Sequence, residues 1–361
     1  MYWALARLND QGRRIKGIFV VKDSNQSRIS RIVDTAEQHF GQRIARVTTP
    51  GGERRSSVRL HFEGKDVIAT LRSDFRRTHL EAFTLDRLAP FTGNIPRVLG
   101  VVGDILFQSD VGRRRLNQEI VLHGSGKQLD LAADAVAGIF RYQSAARQTD
   151  LSDVLPHLGA NKDWVADIVN SVDALQPYSS GICSTFDRDA VALAVSCPGC
   201  QFVKWDCRSG NAAVGAGGHL SWFDFEYCGL RHGAEDFAWL IGDEAWPIVP
   251  DLMVDVMIDA FDPGCGYKIA DYLEYLSVYL ALHCVQRFKL ILKEAQKCGW
   301  LSKENIRQYD DAGVHPAFAV QICKVGQYFS AQSSLTAALT RNFEDAAITF
   351  ERIMQDWVSM K

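Results

Sequence analysis

Three polar residues in the second half of the chain have the types and the spacing that phosphoryl transfer requires. Asp206 and Asn211 form a D-x-x-x-x-N pair, and Asp224 lies thirteen residues beyond Asn211, at the end of an apolar strand pattern. In transfer from ATP, one carboxylate accepts or orients the proton of the attacking hydroxyl, while an amide oxygen and a second carboxylate hold Mg²⁺ on the phosphates. Residues 204–227 are therefore the segment with the clearest chemical content.

Short predicted strands surround these residues and would position them. The strands, interrupted by turns, are Gln201–Trp205, Ala212–Val214 and Leu220–Phe225. A loop whose two ends are held by strands can place Asp206 and Asn211 on opposite sides of a transferring phosphoryl group, with Asp224 entering from the adjacent hairpin. A single D-x-x-x-x-N pair is common by chance. The prediction therefore depends on the combination of this pair with Asp224 and on the order of these residues along the chain.

The chain divides into two parts that differ in their predicted secondary structure. Before about residue 112, β-branched runs and apolar spacing predict a hairpin (Tyr2–Leu8, Ile15–Lys22), strands at Arg43–Thr49, Ser57–Phe62, Asp66–Arg72 and Ile105–Val111, and helices at Arg28–Phe40 and Thr78–Leu88. After it, helical periodicity predicts Leu129–Ala146, Trp164–Leu175, Arg188–Val195, Tyr267–Ala295, His315–Tyr328 and Phe343–Val358. We expect an α+β protein with a small β-rich lobe, residues 1–112, and a large mainly helical lobe, residues 113–361.

The order of these motifs resembles the aminoglycoside phosphotransferase and choline kinase family of the protein-kinase-like fold. That family has a catalytic loop written H-G-D-x-x-x-x-N, followed by an apolar strand that ends I-D-F or I-D-[WF]-E. This chain has Lys204-Trp-Asp206 with Asn211, then Trp222-Phe-Asp224-Phe-Glu226, and further on His232-Gly-Ala-Glu-Asp236. The resemblance implies a two-lobed fold in which Asp206 is the catalytic base, Asn211 and Asp224 hold Mg²⁺, and Asp236 braces the catalytic loop.

The small lobe extends the resemblance over roughly residues 43–245. Its strand Asp66–Arg72 and the helix segment His79–Leu85 resemble the pair that clamps the phosphates, which assigns this role to Arg72 and Glu81. The turn Thr48–Arg55, with Gly51 and Gly52, corresponds to the phosphate-covering turn. Backbone groups near Ser109 and Val111 correspond to the hinge that binds the adenine. Arg208 stands where the family usually has a histidine, and there it either offsets charge on the phosphoryl oxygens or is a surface arginine.

Two departures from the family pattern leave a second function open. Lys204-Trp205 replaces the His-Gly before the catalytic Asp, and Arg72 stands in for the phosphate-pairing lysine, for which an arginine is not a simple replacement. We expect a small-molecule kinase that uses ATP and Mg²⁺ and phosphorylates a hydroxyl. The alternative is a nucleotide-binding pseudokinase with a regulatory role. A protein side chain as acceptor is disfavoured because no activation-loop motif stands between Asp224 and Asp236.

Charge and aromatic content bear on the acceptor. The chain has 40 Lys and Arg against 43 Asp and Glu, a net charge of −3, which argues against nucleic-acid binding. Acidic residues dominate after the first 80 residues, so a cationic small molecule is a candidate acceptor. Four aromatic residues of the last third form either a cation-binding wall or ordinary helix packing: Tyr272, Tyr275, Tyr279 and Trp300.

Cysteine usage and hydropathy complete the expectations. Nine cysteines at irregular spacing, with no signal-peptide pattern and no apolar run long enough to span a membrane, predict free thiols and a cytoplasmic location. Cys197 and Cys200 form one C-x-x-C, for which a Pro-Gly turn with two ordinary thiols is favoured over a zinc or redox site. We expect a monomer or a homodimer.

Overall fold

The computed structural model describes residues 25–52, 55–179, 181, 185–196, 199–310 and 312–359. The predicted hairpin Tyr2–Leu8 and Ile15–Lys22 and the thiol of Cys197 lie outside these residues. Within them, no helix is long and apolar enough to cross a membrane.

A five-stranded antiparallel sheet forms the smaller part of the molecule. Its elements are α1 (Asn25–Phe40), β1 (Arg46–Thr48), β2 (Ser57–Phe62), β3 (Lys65–Leu71), α2 (Phe75–Leu88), β4 (Val98–Val102) and β5 (Ile105–Ser109). The strand order is β1-β2-β3-β5-β4. One face of the sheet packs on α1, where Val58 and Leu60 join Ile32 and Ala36 in a fully buried cluster. The end of β3 and the buried side of α2 face the rest of the protein.

The larger part is mainly helical, with three short strand pairings among its helices. Its first elements are β6 (Arg114–Arg115), α3 (Leu116–Glu119), α4 (Ser125–Ala146), α5 (Leu151–Val154), α6 (Lys162–Asn170), α7 (Arg188–Ser196), β7 (Gln201–Val203), β8 (Ala212–Val214), β9 (Leu220–Trp222) and β10 (Gly229–Arg231). The remaining helices are α8 (Ala234–Ile241), α9 (Pro250–Ala260), α10 (Ile269–Cys298), α11 (Lys303–Tyr309), α12 (Pro316–Ser330) and α13 (Thr340–Ser359). One large apolar core joins α4, α8, α10, α12 and α13. The predicted α+β class, with a small β-rich part and a large helical part, is confirmed; the boundary at residue 112 stays a prediction.

Several predicted elements end earlier than their apolar patterns suggest. The strands predicted over Ile105–Val111 and Gln201–Trp205, for example, end at Ser109 and Val203. The helix predicted over Trp164–Leu175 is α-helical only to Asn170 and continues as a 3₁₀ helix from Ser171 to Tyr178. Ser171 Oγ donates to the carbonyl of Ile168 at 2.6 Å, and such bonds compete with regular helix. The strand predicted over Leu220–Phe225 ends at Trp222, because Asp224 adopts a left-handed backbone conformation, with φ 66°. That turn brings the Asp224 carboxylate toward the sheet.

Candidate active site

The cleft between the sheet and the β7–β9 region contains two adjacent cavities. The first, of about 220 Å³, is lined by seven of the predicted site residues: Gly51, Arg72, Glu81, Ser109, Val111, Asn211 and Asp224. The second, of about 360 Å³, shares Asn211 and Asp224 with the first and adds Asp206 and Arg208. Gly52 lines neither cavity and instead lies against the ring of Tyr309. The structure thus brings together residues that are up to 173 positions apart in the sequence.

Asp206 lies at the base of the cleft as a buried, ionised carboxylate. Its Oδ1 accepts a hydrogen bond from Arg208 Nε at 2.8 Å, and its Oδ2 accepts one from Asn211 Nδ2 at 3.1 Å. Burial by itself would raise the pKa of Asp206, but the charges of Arg208, Lys204 and Arg287 outweigh it and lower the pKa to about 2. The carboxylate is therefore available to accept a hydrogen bond from a hydroxyl at any physiological pH.

Asn211 and Asp224 both line the two cavities. Asn211 Nδ2 donates to both the carbonyl and the carboxylate of Asp206, which leaves its Oδ1 without a hydrogen bond to any described residue. Asp224 Oδ1 accepts from Arg72 Nη2 at 2.7 Å, which leaves Oδ2 directed elsewhere. Amide and carboxylate oxygens are the ligands that Mg²⁺ prefers, completed by water and phosphate. The donor set fits such an ion, although no cluster of three or more His, Cys, Asp or Glu side chains among the described residues could hold one alone.

Arg72 contacts three carboxylates at the junction of sheet, α2 and β9. Its Nη1 lies 2.5 Å from Glu81 Oε2, its Nη2 2.7 Å from Asp224 Oδ1, and its Nε 2.9 Å from Glu226 Oε2. Glu81 also accepts the N–H of Phe225 at 3.0 Å, which fastens α2 to the turn after β9. The pairing of Arg72 with Glu81 is present as expected. However, each of the three guanidinium nitrogens already contacts a protein carboxylate.

The backbone before Asp206 is fastened by Asp236, at the start of α8. The Asp236 carboxylate accepts the N–H groups of Lys204 at 2.9 Å and of Trp205 at 2.8 Å, and the hydroxyl of Tyr142 at 2.8 Å. Lys204 is fully buried, with Nζ 3.3 Å from the carbonyl oxygen of Asp206 and 5.4 Å from the centre of the Phe225 ring. The residue that the resemblance aligns with the family's histidine is thus a buried lysine beneath the loop that carries Asp206.

Backbone strain is concentrated at this cleft. In the described part of the chain, four residues other than glycine have positive φ: Trp205 (61°), Asp206 (49°), Asp224 (66°) and Asp310 (51°). Three of them line the cavities, and the fourth precedes Asp206. Such conformations cost of order 1–3 kcal/mol each and persist where the surroundings impose them, which is typical of functional sites.

The far end of the first cavity offers groups suited to a nucleobase. Val111 makes no hydrogen bond to a described residue, so its N–H and C=O are available, whereas the N–H of Ser109 already donates to Arg97 O at 2.9 Å. Gln108, only 5% exposed, lines the same cavity, and its Nε2 has no partner among the described residues. Of the two residues predicted for the hinge, Val111 has both backbone groups available, whereas the amide of Ser109 does not.

Sequence reasoning missed four residues that line the cleft: Gln108, Arg115, Glu226 as a ligand of Arg72, and Asp310. Glu226 was visible in the motif after Asp224, but its partner lies 154 positions away in sequence. The aromatic residues of α10 lie elsewhere: Tyr272 and Tyr279 are 1% exposed and pack inside the helical core. Tyr275 and Trp300 are partly buried, pack against the same core and, like the other two, line neither cavity. Helix packing is therefore the favoured interpretation of all four, and the ring of Tyr279 already lies 5.8 Å from the guanidinium of Arg231.

Glu226 makes the stability of the protein depend on pH. Burial, with the nearby charge of Asp224, raises the pKa of Glu226 from 4.5 to about 7, although Arg72 opposes this. Between these values the unfolded chain has released the proton that the folded state still holds, so stability falls as pH rises from about 4.5 to 7. We expect Glu226→Gln to unfold at higher urea concentration than the native protein at pH 8, and at a similar concentration at pH 4.5.

The matched control is Glu304→Gln, which removes the charge of an exposed carboxylate on α11. Urea unfolding curves of both variants at four pH values between 4.5 and 8 give the comparison. If the difference in urea midpoint between Glu226→Gln and the native protein stays constant over this pH range, the pKa of Glu226 is not raised in the folded protein.

Comparison with known proteins gives matches of structure but none of sequence. No protein-family model matches the chain, and no curated protein is similar to it by sequence. The GDP complex of an aminoglycoside 2'-phosphotransferase matches with a TM-score of 0.54 at 13% identity, over 80% of this chain and 99% of that one. A macrolide 2'-phosphotransferase from Brachybacterium faecium matches with a TM-score of 0.51 at 12% identity, over 81% and 98% of the two chains. The chain therefore has the two-lobed, protein-kinase-like fold of these phosphotransferases, and the resemblance is confirmed at the level of the fold.

Proposed function

We propose that the protein is a small-molecule kinase that transfers the γ-phosphoryl group of ATP to a hydroxyl group. The observation that carries this proposal is the convergence of Asp206, Asn211 and Asp224 on one cleft beneath the five-stranded sheet. The fold alone would not suffice, because one fold supports many functions. The three side chains supply the groups that this reaction needs, in hydrogen-bonded positions.

Each residue has a separate part in the proposed reaction. Asp206 Oδ2 orients the acceptor hydroxyl and takes its proton as the new P–O bond forms and the bond from the γ-phosphorus to the departing ADP oxygen breaks. Asn211 Oδ1 and Asp224 Oδ2 would hold Mg²⁺, which would supply positive charge to the phosphates. Arg208, which touches Asp206 and lines the second cavity, offsets negative charge that develops on the transferring group. The nucleobase lies at Val111, between the proposed lobes 1–112 and 113–361.

The second cavity is the proposed acceptor site. Besides the catalytic residues it is lined by Glu226, Tyr227 and Leu290, which offer a carboxylate beside aromatic and apolar surface. Arg55, Arg287 and Asp310 complete its charged lining. This combination suits a hydroxylated small molecule that carries an amine. The cytoplasmic location and the monomeric or homodimeric state stay predictions from the sequence.

Binding and turnover are tested separately. Purified protein is incubated with Mg-ATP or Mg-GTP and pools of hydroxylated and aminated metabolites, and acceptor-dependent nucleoside diphosphate release is measured. GTP is included because one of the structural neighbours was solved with GDP. Acceptor-dependent release supports the kinase. Its absence with every pool, together with thermal stabilisation by ATP, would replace it with the second candidate.

Magnesium binding gives a further expected result. Asp224→Asn removes one of two oxygen ligands of the proposed site, so we expect Mg²⁺ to raise the unfolding temperature in the presence of ADP for the native protein but not for this variant. Differential scanning fluorimetry with ADP, with and without Mg²⁺, measures the shift. Asp259→Asn, an exposed aspartate of α9, is the control. An equal Mg²⁺-dependent shift in native protein and Asp224→Asn would remove Asp224 from the metal site.

The second candidate, a nucleotide-binding pseudokinase, is favoured by one observation. Arg72 is held by Glu81, Asp224 and Glu226, so every guanidinium nitrogen of the residue in the phosphate-pairing position already contacts a protein carboxylate. A pseudokinase binds nucleotide and responds to it without turnover, and Asp206→Asn then leaves every measured property of nucleotide binding unchanged.

A further inference from the structure

The segment that follows α11 enters the cleft, and its contacts point to a binding element outside the predicted set. We propose that Arg55, Arg115 and Arg208 form a binding site for a phosphate group, and that the Asp310 carboxylate occupies this site until a phosphate displaces it. The inference deepens the proposed function, because it rests on the same cleft accepting a phosphorylated ligand.

Asp310 is placed where it bridges the two cavities. Its carboxylate accepts from both terminal nitrogens of Arg208, at 3.3 and 3.2 Å, and its side chain is only 10% exposed. It lines the first cavity and the second. A Cβ atom on Gly210, in the catalytic loop, would overlap this carboxylate, so the loop approaches it as closely as a glycine allows. Asp310 therefore holds a position between the proposed nucleotide and the proposed acceptor.

Arg55 connects the turn between β1 and β2 to the same segment. Its Nη2 donates to the backbone carbonyls of Tyr309 and of Asp310, the latter at 2.7 Å. In this fold that turn covers the phosphates. The guanidinium of Arg55 is thus held over the cleft by two carbonyl oxygens, and it lines both cavities.

Arg115 brings a third positive charge to the first cavity. Its guanidinium donates no hydrogen bond to, and forms no ion pair with, any residue that the structure describes, and it lies 5.9 Å from the centre of the Phe223 ring. A Cβ on Gly51 would lie 3.3 Å from its Nη2. Burial lowers the pKa of Arg115, the charges of Asp310 and Asp224 oppose this, and those of Arg55 and Arg208 add to it. Because an arginine stays protonated in proteins, this buried cation has only distant carboxylates to balance it.

The chemistry of the cluster suits phosphate better than the carboxylate now there. The Asp310 carboxylate faces three guanidinium groups, of which Arg208 also pairs with Asp206. A phosphate carries more charge than a carboxylate and accepts paired hydrogen bonds from arginine forks. Asp310 also holds a left-handed conformation with φ 51°, which its release would relieve. Arg72 contacts three carboxylates. We therefore assign to Arg55, Arg115 and Arg208 the phosphate binding that the resemblance predicts for Arg72.

Inorganic tripolyphosphate without divalent cations is the probe, so that neither turnover nor the magnesium site enters the measurement. Asp310→Asn keeps the size and the tolerance for positive φ but removes the competing charge. We expect it to lower the Kd for tripolyphosphate, measured by isothermal titration calorimetry, by about tenfold, and Arg115→Gln to raise it by about tenfold. Glu304→Gln and Arg97→Gln, both exposed, are matched controls whose Kd stays that of the native protein.

An unchanged or higher Kd in Asp310→Asn overturns the proposal, and so does an Arg115→Gln variant that binds as tightly as the native protein. If Arg115→Gln does not fold, Arg115→Lys is measured instead. It keeps the charge but loses the fork, and a Kd at least threefold above the native value is then required. The expected Kd values together with no phosphoryl transfer to any acceptor would contradict the proposed kinase function but support the proposed phosphate site. Phosphoryl transfer to an acceptor together with unchanged Kd values in the variants would support the kinase function and overturn the proposed phosphate site at Asp310.

Discussion

Asp206→Asn is expected to reduce acceptor-dependent phosphoryl transfer by about 10²–10⁴-fold while the protein still binds nucleotide. The asparagine has the same shape but cannot take the proton of the acceptor hydroxyl, and its amide cannot pair with both Arg208 and Asn211 as the carboxylate does. The measurement is kcat/KM for the best acceptor, together with the Kd of ADP. The loss is expected in kcat rather than in nucleotide affinity, because Asp206 lines the second cavity and not the first.

The control for this variant is Asp259→Asn, whose carboxylate is exposed on α9. It should retain the native kcat/KM. An Asp206→Asn variant that keeps more than a tenth of native turnover would exclude Asp206 as the catalytic base, whichever acceptor is used.

Arg72→Gln is expected to destabilise the folded state by about 3–5 kcal/mol, the range found when one partner of a buried ion pair is removed. Without the guanidinium, Glu81, Asp224 and Glu226 face one another at the end of β3, and Glu81 is 1% exposed. Arg72→Lys keeps the positive charge but contacts fewer carboxylates. Its free energy of unfolding should therefore lie between those of the native protein and Arg72→Gln. Urea unfolding at pH 7.5 gives the free energies.

The matched control for this variant is Arg76→Gln, an exposed arginine of α2 only four residues away. We expect its free energy of unfolding to stay within about 0.5 kcal/mol of the native value. An equally small change in the free energy of unfolding of Arg72→Gln would show that the ion pairs of Arg72 do not stabilise the folded state.

Much of the arrangement was accessible from the sequence because local patterns determine it. The strand β2, Ser57–Phe62, has the bounds that its β-branched and apolar residues predicted. Asp206, Asn211 and Asp224 could be singled out because their spacing is short and the chemistry that uses them requires little else. The pairing of Arg72 with Glu81 followed from the resemblance, since a strand and the next helix present them to each other.

The remainder depended on contacts between distant parts of the chain. Nothing around Asp310 marks it as a cleft residue, because α11 is short and its register was not visible in the apolar pattern; only the fold brings it 3.2 Å from Arg208. Likewise, the raised pKa of Glu226 arises from burial beside Asp224, which no linear motif encodes. The left-handed turn at Asp224 shortened a strand that alternation alone extended to Phe225.

The buried ammonium of Lys204 has a consequence for the timing of proton movement. Together with Arg208 and Arg287 it holds the pKa of Asp206 near 2, so this carboxylate is a much weaker base than the alkoxide that would form if it removed the proton first. In the proposed reaction, deprotonation of the acceptor would then follow cleavage of the bond to the departing diphosphate. A loose, metaphosphate-like transition state has that order of events, and a nearly neutral attacking oxygen would make the rate almost indifferent to the acidity of the alcohol.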